Sequence, residues 1–489
     1  MPEKLLDFEP ENMIAKFYSS CYGFRIETSK ELLQDSSKAN TSSVKHITFN
    51  LTKMYDKFKI FECSDDMIEN LVPESYCPWT YSAAQTVEVV TGNDSIEVDW
   101  WFQRVFKDSG LTMNDHLYFK PMSFVYKLSF PPNTTIGNIL KYFCDFSSIA
   151  SRDFLKNMLH FVQDDCEKQV LKQLLNDDDY VSFIFQPMLN LREVLTLFGT
   201  SARFTTTHDL NDILKFLSII PRKRPRPYSI SSAYALDQPS LSLTVAQFVS
   251  KTTDKRIKKL PSLLELQNEI EKKSGFVCRT KTTPQSLNVS QHSETRYFYG
   301  DVSSKLCSTN ILNNEHVLMS LILTNPLKKM SLKFPILLIA CGTGIAPCRS
   351  IWREIHSLYK TDSSHFGEHS KVVLLYGCTH PDVDLLYKEE IQDYWQTSDA
   401  CASNRNKHLF SHAFFAFSRY DKKCYVQDLI IGDAACVIKS MSTFKQFFIY
   451  VCGSNAMGKG VNESLTHVLS KKNIRRMKKK KQYIEDLWG

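Results

Sequence analysis

The chain has 489 residues, of which 43% are hydrophobic and 12% aromatic, and its formal net charge is +7. This composition excludes a disordered or collagen-like chain and provides enough apolar residues for roughly two to four folded domains. The first residues lack the basic and then apolar pattern of a signal peptide, and no apolar stretch is long enough to cross a bilayer. We therefore expect a cytoplasmic protein without an integral membrane segment.

The positive charge is concentrated near the end of the sequence, in Arg475, Arg476 and the run 478–481. Such a run is typical of a solvated helix surface, which favours a protein with no nucleic acid partner. The alternative is a nucleic-acid or membrane-surface binder that acts through this run.

The fourteen cysteines are scattered, and no two of them have the C-x-x-C spacing of a zinc or redox site. They indicate free thiols in a reducing compartment. We predict no metal site.

The first two thirds of the chain contain strand-like regions around a helical one. Alternating or apolar patterns predict strands at 42–51, 85–90, 226–233 and 241–249. Between 100 and 214, apolar residues recur at three- and four-residue spacing, which predicts packed helices. The mostly polar segment 251–296 predicts an inserted loop.

From residue 334 onward, apolar strands alternate with helical patterns. The predicted strands cover 335–340, 371–378 and 447–453. Because each strand is followed by a helix, the pattern predicts a parallel sheet with crossover helices.

A glycine turn, Gly342-Thr343-Gly344, follows the first of these strands and precedes a helical pattern. Glycine permits positive φ and close approach of a phosphate, and a helix N-terminus offers unpaired N–H groups to that phosphate. The pattern is typical of a dinucleotide site. A tight turn that only packs the helix on the strand is the alternative.

A second polar cluster lies farther along the chain. One short segment places a hydroxyl, a guanidinium, an ammonium and an amide close together: Ser418, Arg419, Lys423, Tyr425 and Gln427. A guanidinium can pair two phosphate oxygens while hydroxyls add neutral hydrogen bonds. The cluster suits the 2′-phosphate of NADPH. A solvated basic loop is the alternative.

The segment Arg226 to Ser229 combines an anion clamp, an aromatic ring and a hydroxyl on one predicted strand. These are the groups that a flavin dinucleotide needs for its diphosphate, its ring and its N5 atom. Gly300 and Ser303, before a predicted helix, form a second nest for a diphosphate. The alternatives are a basic loop entering an ordinary strand and a plain helix cap.

Trp488 lies next to the end of the sequence. It is either a packing anchor or a residue that stacks on a ring held elsewhere in the fold.

These motifs, in this order, make the sequence resemble the diflavin reductase family over nearly its whole length: R-x-Y-S, G-x-x-S, G-T-G-I-A-P, the SR and KCYVQ segments, YVCG and the near-terminal tryptophan. The resemblance implies an α/β plus β-barrel fold. It implies a ferredoxin-reductase-like FAD barrel at 1–99 and 205–325, a helical connecting domain at 100–204 and a Rossmann-like NADP-binding domain at 330–489. FAD and NADPH are the implied cofactors.

The resemblance also implies roles for individual residues. The FAD would be bound by Arg226, Pro227, Tyr228, Ser229, Gly300, Asp301, Val302 and Ser303. The NADPH would be bound by Gly342, Thr343, Gly344, Ser418, Arg419, Lys423, Cys424, Tyr425, Val426 and Gln427. Ser229, Cys452 and Asp486 match positions along the hydride path. Trp488 matches a tryptophan that shields the flavin ring and moves aside for nicotinamide.

Two departures from the family pattern affect the expected function. First, Ala340 replaces the first glycine of the usual turn. Second, the family's FMN domain has no counterpart before the barrel, so FMN is not expected in this chain. Electrons would then pass from NADPH through FAD to a protein acceptor, either an iron–sulfur assembly protein or a flavodoxin-like domain. A catalytically degenerate scaffold is the alternative that the departures raise.

Within the family, the segment 98–121 looks most similar to the branch that serves cytosolic iron–sulfur cluster assembly. The rivals are methionine synthase reductase, which the ending YIEDLWG favours, and cytochrome reductase-like electron transfer.

Overall fold

The computed structural model describes residues 17, 20–35, 43–53, 55–56, 79–106, 109–117, 134–197, 210–251, 297–308, 316–322, 326–395 and 409–488. The predicted insert at 251–296 lies outside the described residues, except for Lys251. No helix in the described ranges is both long enough and apolar enough to span a bilayer.

Two antiparallel sheets form a barrel. The larger has the strand order β4-β1-β12-β5-β8: β1 (Tyr22–Phe24), β4 (Tyr55–Asp56), β5 (Thr86–Thr91), β8 (Arg226–Ser229) and β12 (Val317–Ile322). The smaller has the order β2-β3-β9: β2 (Ile26–Glu31), β3 (Val44–Asn50) and β9 (Ser240–Ala246). An antiparallel bridge between Ile230 and Leu243 joins them. The two sheets enclose a buried apolar core, and β8 lies at the edge of the larger sheet.

Two further pairs of antiparallel strands lie in the described ranges: β6 (His116–Leu117) with β7 (Thr134–Thr135), and β10 (Val249–Lys251) with β11 (Tyr297–Tyr299). The strand predicted at 226–233 ends at Ser229, because the chain then turns into α8 (Tyr234–Asp237). The strand predicted at 241–249 is two strands, since Gln247 and Phe248 interrupt the ladder.

A helical block lies between β5 and β8, as the sequence predicted. Its helices are α1 (Ser95–Phe106), α2 (Ile136–Asn138), α3 (Arg152–Met158), α4 (Asp165–Gln173), α5 (Asp177–Tyr180), α6 (Leu191–Leu197) and α7 (Leu210–Ile219), with π-helical turns at Ile139–Phe143 and Val181–Phe185. Their apolar faces form one core, in which Trp101 stacks on Phe146 with ring centroids 4.3 Å apart. The three- and four-residue spacing thus predicted the block correctly.

The second half of the chain forms a parallel sheet with the strand order β15-β14-β13-β16-β17. Its strands are β13 (Ile336–Cys341), β14 (Val372–Cys378), β15 (Phe410–Phe417), β16 (Phe448–Ser454) and β17 (Tyr483–Trp488). The three central strands are buried along nearly their whole length because helices cover both faces of the sheet. The order reverses between β13 and β16, which creates a topological switch point at their carboxyl ends.

The helices that flank this sheet are α10 (Ile345–Thr361), α11 (Lys388–Trp395), α12 (Val426–Ile431), α13 (Ala435–Ser442), α14 (Asn455–Leu469) and α15 (Lys471–Lys479). One helix, α9 (Asp301–Cys307), belongs to the barrel. The barrel and the Rossmann-like sheet confirm the predicted fold class.

The helix α10 joins the sheet to the barrel. Its Arg349 donates to the carbonyl oxygen of Ser231 at 2.8 Å and forms an ion pair with Glu390 at 2.8 Å. Its Ser350 donates to the carbonyl oxygen of Ser232 at 2.6 Å. The bond from Arg349 to Ser231 is charge-assisted and contributes about 1.5–3 kcal/mol, whereas the neutral bond from Ser350 contributes about 0.5–1.5 kcal/mol. The ion pair with Glu390 lies within the sheet unit and orients Arg349. These contacts therefore hold the two units in one relative position.

Candidate active site

Three residues that the sequence analysis singled out meet at one carboxylate. Asp486 on β17 accepts a hydrogen bond from the hydroxyl of Ser229, at the end of β8, with a distance of 3.1 Å between Oγ and Oδ2. The Sγ of Cys452 lies 3.7 Å from the same Oδ2, because Cys452 and Asp486 are register partners in the neighbouring strands β16 and β17. Residues more than 200 positions apart in sequence thus form one cluster between the barrel and the parallel sheet.

A fourth member, Tyr450, was missed by the sequence analysis. Its hydroxyl donates to Oδ2 of Asp486 at 3.1 Å, and its side chain is fully buried. Burial, and then the neighbouring Cys452 and Asp486, hold the pKa of Tyr450 well above its ordinary value, so the hydroxyl stays a donor. Alternation along a strand was the available signal, because Tyr450 lies two residues before Cys452 on the same face.

The thiol of Cys452 is neutral in this setting. Burial, followed by the charge of Asp486, raises its pKa well above the ordinary value. The same two causes raise the pKa of Cys348, which is buried on α10. Because the thiolate is the reactive form of cysteine, Cys452 is suited to packing and weak hydrogen bonding and not to nucleophilic attack.

The glycine turn lies beside this cluster, at the switch point of the sheet. Gly342 has a φ of +54°, which glycine adopts without strain. Gly344 contacts β16 so closely that an added Cβ would lie 2.3 Å from the carbonyl oxygen of Cys452. The turn leads directly into α10, so the N-terminus of that helix lies at the edge where open parallel sheets bind nucleotides.

The polar segment 418–427 lies at the same edge, after β15. The backbone N–H groups of Ser418 and Arg419 donate to the carbonyl oxygens of Cys378 and Thr379, at 3.0 and 2.9 Å, which attaches the turn to the end of β14. Arg419, Lys423 and Tyr425 are exposed, and the Nζ of Lys423 lies 5.0 Å from the ring centroid of Tyr425. The segment therefore presents a cation and an aromatic ring to solvent.

Three other residues of that segment are less accessible. Val426 is buried in the core, so only its backbone can face a nucleotide. Cys424 and Gln427 are half-buried, and Gln427 packs against Gly460 of α14.

The segment Arg226 to Ser229, which is β8, forms an edge of the barrel. Arg226 and Pro227 are exposed, and Tyr228 and Ser229 are half-buried. Burial raises the pKa of Tyr228 well above its ordinary value, so it remains a neutral phenol. Trp488 is 42% exposed, two residues beyond Asp486 on β17. The hydrogen bond from Ser229 to Asp486 thus connects the strand of Tyr228 to the strand of Trp488.

The predicted nest at 300–303 differs from its expected form. Helix α9 begins at Asp301, with Gly300 as its N-cap, so Ser303 lies inside the first turn and not before it. The Ser303 hydroxyl accepts from the backbone N–H of Phe248 at 3.0 Å, and the Val302 side chain is buried in the core. The side chains of Val302 and Ser303 therefore already have contacts within the protein.

Asp301 is neutralised by two lysines. It pairs with Lys223, which is 2% exposed, and with Lys305 at 3.6 Å. Burial favours the neutral acid, but the two lysines outweigh it and hold the pKa of Asp301 below its ordinary value. The paired acid therefore presents no free negative charge beside Gly300.

The architecture and these sites define a class: a barrel that carries aromatic and cationic groups at its edge, joined to a dinucleotide-type parallel sheet. Two family models match this division. One, described as an FAD binding domain, matches residues 72–259, and the other, an oxidoreductase NAD-binding domain, matches residues 338–463. The chain thus contains an FAD-binding and an NAD-binding oxidoreductase domain of the ferredoxin-reductase type.

Several curated proteins are similar to the chain. Inducible nitric oxide synthase of Gallus gallus is 27% identical over 371 residues, which is 73% of this chain and 27% of that protein. NADPH–cytochrome P450 reductase of Phanerodontia chrysosporium is 26% identical over 402 residues, 74% of this chain and 53% of the relative. NADPH–cytochrome P450 reductase of Candida maltosa is 26% identical over 385 residues, which is 76% of this chain and 51% of the relative. The chain therefore spans from about a quarter to about half of the length of these relatives.

Proposed function

We propose that this protein is an NADPH-dependent FAD oxidoreductase that passes electrons from NADPH through FAD to a protein acceptor. The observation that carries the proposal is the shared carboxylate oxygen of Asp486, which accepts from Ser229 of the barrel and from Tyr450 and Cys452 of the parallel sheet. The matched FAD-binding and NAD-binding domains thus meet at a cluster of polar side chains at the sheet's switch point.

The residues present fit both cofactors. On the flavin side, exposed Arg226 would pair with the diphosphate and Tyr228 would lie against the ring. The segment Gly300 to Ser303 would contribute the backbone N–H groups of the first turn of α9, since the N–H of Gly300 itself donates to Phe248. On the nucleotide side, the turn at 342–344 would receive the diphosphate, and Ser418, Arg419 and the segment 423–427 would bind the adenosine end. The exposed Trp488 side chain would cover the flavin ring.

When bound, FAD and NADPH supply the hydride chemistry, and the protein supplies position and electrostatics. Asp486 is a hydrogen-bond acceptor whose orientation is set by Tyr450, Ser229 and Cys452. Its negative charge stabilises a positive charge that develops beside it. The Ser229 hydroxyl donates its one hydrogen to Asp486, so this contact positions its oxygen to accept from a neighbouring polar atom. Trp488 excludes water until it moves.

The acceptor and the setting are further parts of the proposal. The curated relatives include reductases named for cytochrome P450, which supports a protein acceptor. The resemblance at 98–121 supports a role in iron–sulfur cluster assembly, with methionine synthase reductase-like transfer as the rival. The nine cysteines whose side chains the structure describes are free thiols, which supports a reducing, cytoplasmic location. The domain boundaries at 99/100, 204/205 and 325/330 remain our proposal.

The test begins with the flavin content of the purified protein. We expect about one FAD per chain after loading, bleaching of its absorbance by NADPH under anaerobic conditions, and steady NADPH oxidation with ferricyanide. If the protein binds FAD, but NADPH neither bleaches the flavin absorbance nor is oxidised with ferricyanide, the protein is the catalytically degenerate scaffold. A protein that takes up no FAD contradicts the proposal altogether.

A further inference from the structure

The helix α15 and the residues after it carry an unusual share of the chain's charge. Between residues 471 and 481 there are eight lysines and arginines and no acid, which exceeds the net charge of +7 of the whole chain. Ile474 and Met477 face the core, and the cations lie on the outer surface. The polar surface of this helix is therefore cationic throughout.

A groove between α14 and α15 gathers three of these cations. Its volume is about 470 Å3, and it is lined by Asn462, Glu463, Thr466, Lys471, Ile474, Arg475 and Lys478. Lys471, Arg475 and Lys478 are spaced by four and three residues, which places them on one face of α15. Asn462 and Thr466, four residues apart on α14, add amide and hydroxyl donors on the other wall.

Two of the three cations lack a counter-ion. In the ranges that the structure describes, neither Lys471 nor Arg475 forms an ion pair. Lys478 does, since its Nζ donates to both carboxylate oxygens of Glu485 at 3.0 and 3.1 Å. Glu463 contributes one negative charge to the lining. The groove thus retains a positive surplus, and a concave surface concentrates that potential.

The groove is separate from the candidate active site. Helices α14 and α15 cover one face of the parallel sheet, where Ile474 packs in the same core as Leu337 and Ile339. The barrel meets the opposite face, where Ala84 packs with Leu338 and Ala340. A ligand in the groove therefore does not occupy the space between the two domains.

We propose that this groove binds a linear chain of phosphates, such as inorganic tripolyphosphate. The three cations extend over about 10 Å of helix, so a chain of several phosphates can contact all of them without drawing the two lysine side chains together, as a single phosphate would. Arg475, the middle cation, can pair two oxygens in a fork. The lining has no aromatic side chain to stack on a base, so the phosphates themselves are the recognised groups.

Calorimetric titration of the FAD-loaded 489-residue chain tests the site. Tripolyphosphate is the probe, and inorganic phosphate and ATP are the comparison ligands. We expect tripolyphosphate to bind, ATP to bind no more tightly, and phosphate to bind at least about tenfold more weakly. Arg475→Ala should weaken tripolyphosphate binding at least about tenfold, because a charge-assisted contact is lost. Lys472→Ala, on an exposed residue outside the groove, should change it less than about twofold.

Several outcomes would overturn the proposal. One is that the wild type does not bind tripolyphosphate at millimolar concentration. Another is that Lys472→Ala and Arg475→Ala weaken tripolyphosphate binding equally, which would indicate unspecific electrostatic attraction. Tighter binding to duplex DNA or to vesicles of anionic lipid, equally sensitive to both changes, would identify a charged surface without a groove site. Thermal melting of each variant establishes that it is folded.

A further variant keeps this test independent of the proposed function. Arg419→Ala removes a cation from the proposed NADPH cluster, and we expect it to leave tripolyphosphate binding unchanged. If Arg419→Ala abolishes the binding and Arg475→Ala does not, the anion occupies the nucleotide site and the groove proposal is wrong. If NADPH fails to reduce the flavin, the proposed function is contradicted, but the tripolyphosphate titration still tests the groove.

Discussion

Gly344 and Cys452 are in backbone contact, so that a Cβ atom on Gly344 would lie 2.3 Å from the carbonyl oxygen and 2.8 Å from the carbonyl carbon of Cys452. The contact places the start of α10 against the end of β16, beside Asp486. Because both partners are main-chain atoms within the core of the sheet, neither can rotate away.

We therefore expect Gly344→Ala to destabilise the protein by about 1–3 kcal/mol, the range for overpacking a filled core. Urea unfolding measures the change. Gly367→Ala is the matched control, since its added Cβ would meet only ordinary contacts, the nearest at 3.6 Å. Equal stabilities of the two variants would contradict the close contact.

Asp486→Asn should slow reduction of FAD by NADPH about 100-fold, because the amide keeps the shape of the side chain and removes its charge. Rapid-mixing measurement of flavin absorbance follows the step. Glu485→Gln is the control, as Glu485 is adjacent in sequence but pairs with Lys478 and not with the cluster. A rate within about twofold of wild type for Asp486→Asn would remove this residue from the mechanism.

Arg419→Ala should reduce the preference for NADPH over NADH about 10- to 100-fold, since a guanidinium contact to the 2′-phosphate contributes about 1.5–3 kcal/mol. The effect should appear in KM for NADPH and leave KM for NADH nearly constant. Lys422→Ala, a neighbouring exposed cation, is the matched control. Equal effects on both nucleotides would place Arg419 outside the phosphate site.

Acid should destabilise the protein through His46. Burial, and then the charge of Arg349, lowers the pKa of His46 to about 4 in the folded chain, and its Nδ1 is 2.9 Å from the hydroxyl of Tyr387. The unfolded chain therefore binds a proton near pH 6.5 that the folded chain does not bind until about pH 4. The stability that neutral His46 contributes is present above pH 6.5 and is lost as the pH falls toward 4, in total about 3 kcal/mol.

Unfolding in urea at pH 7 and pH 5 measures this loss. We expect His46→Gln to make the change between the two pH values smaller, and His412→Gln, on an exposed residue, to leave it as in wild type. An unchanged pH dependence in His46→Gln would show that other groups cause the acid sensitivity.

The sequence predicted much of the fold because the relevant signals are local. The apolar runs at 335–340, 371–378 and 447–453 predicted the parallel strands, and the glycine turn after Ala340 predicted the switch-point loop. Tyr450 was missed since a buried tyrosine in a strand is an ordinary core residue until its hydroxyl is known to reach Asp486. Ser303 was placed before a helix that in fact begins at Asp301, because a glycine followed by an acid marks a helix start only to within a few residues.

By itself the sequence determined the kinds of elements, their order and the chemistry they carry, because hydrophobic period, glycine turns and charge are properties of short segments. Only the tertiary structure decided that Ser229, Tyr450 and Cys452 converge on one oxygen of Asp486, and that Asp301 is neutralised by Lys223. The physical reason is that these contacts depend on how the barrel and the sheet pack against each other. Packing of that kind is a sum of many weak apolar contacts along the whole chain, which no short segment contains.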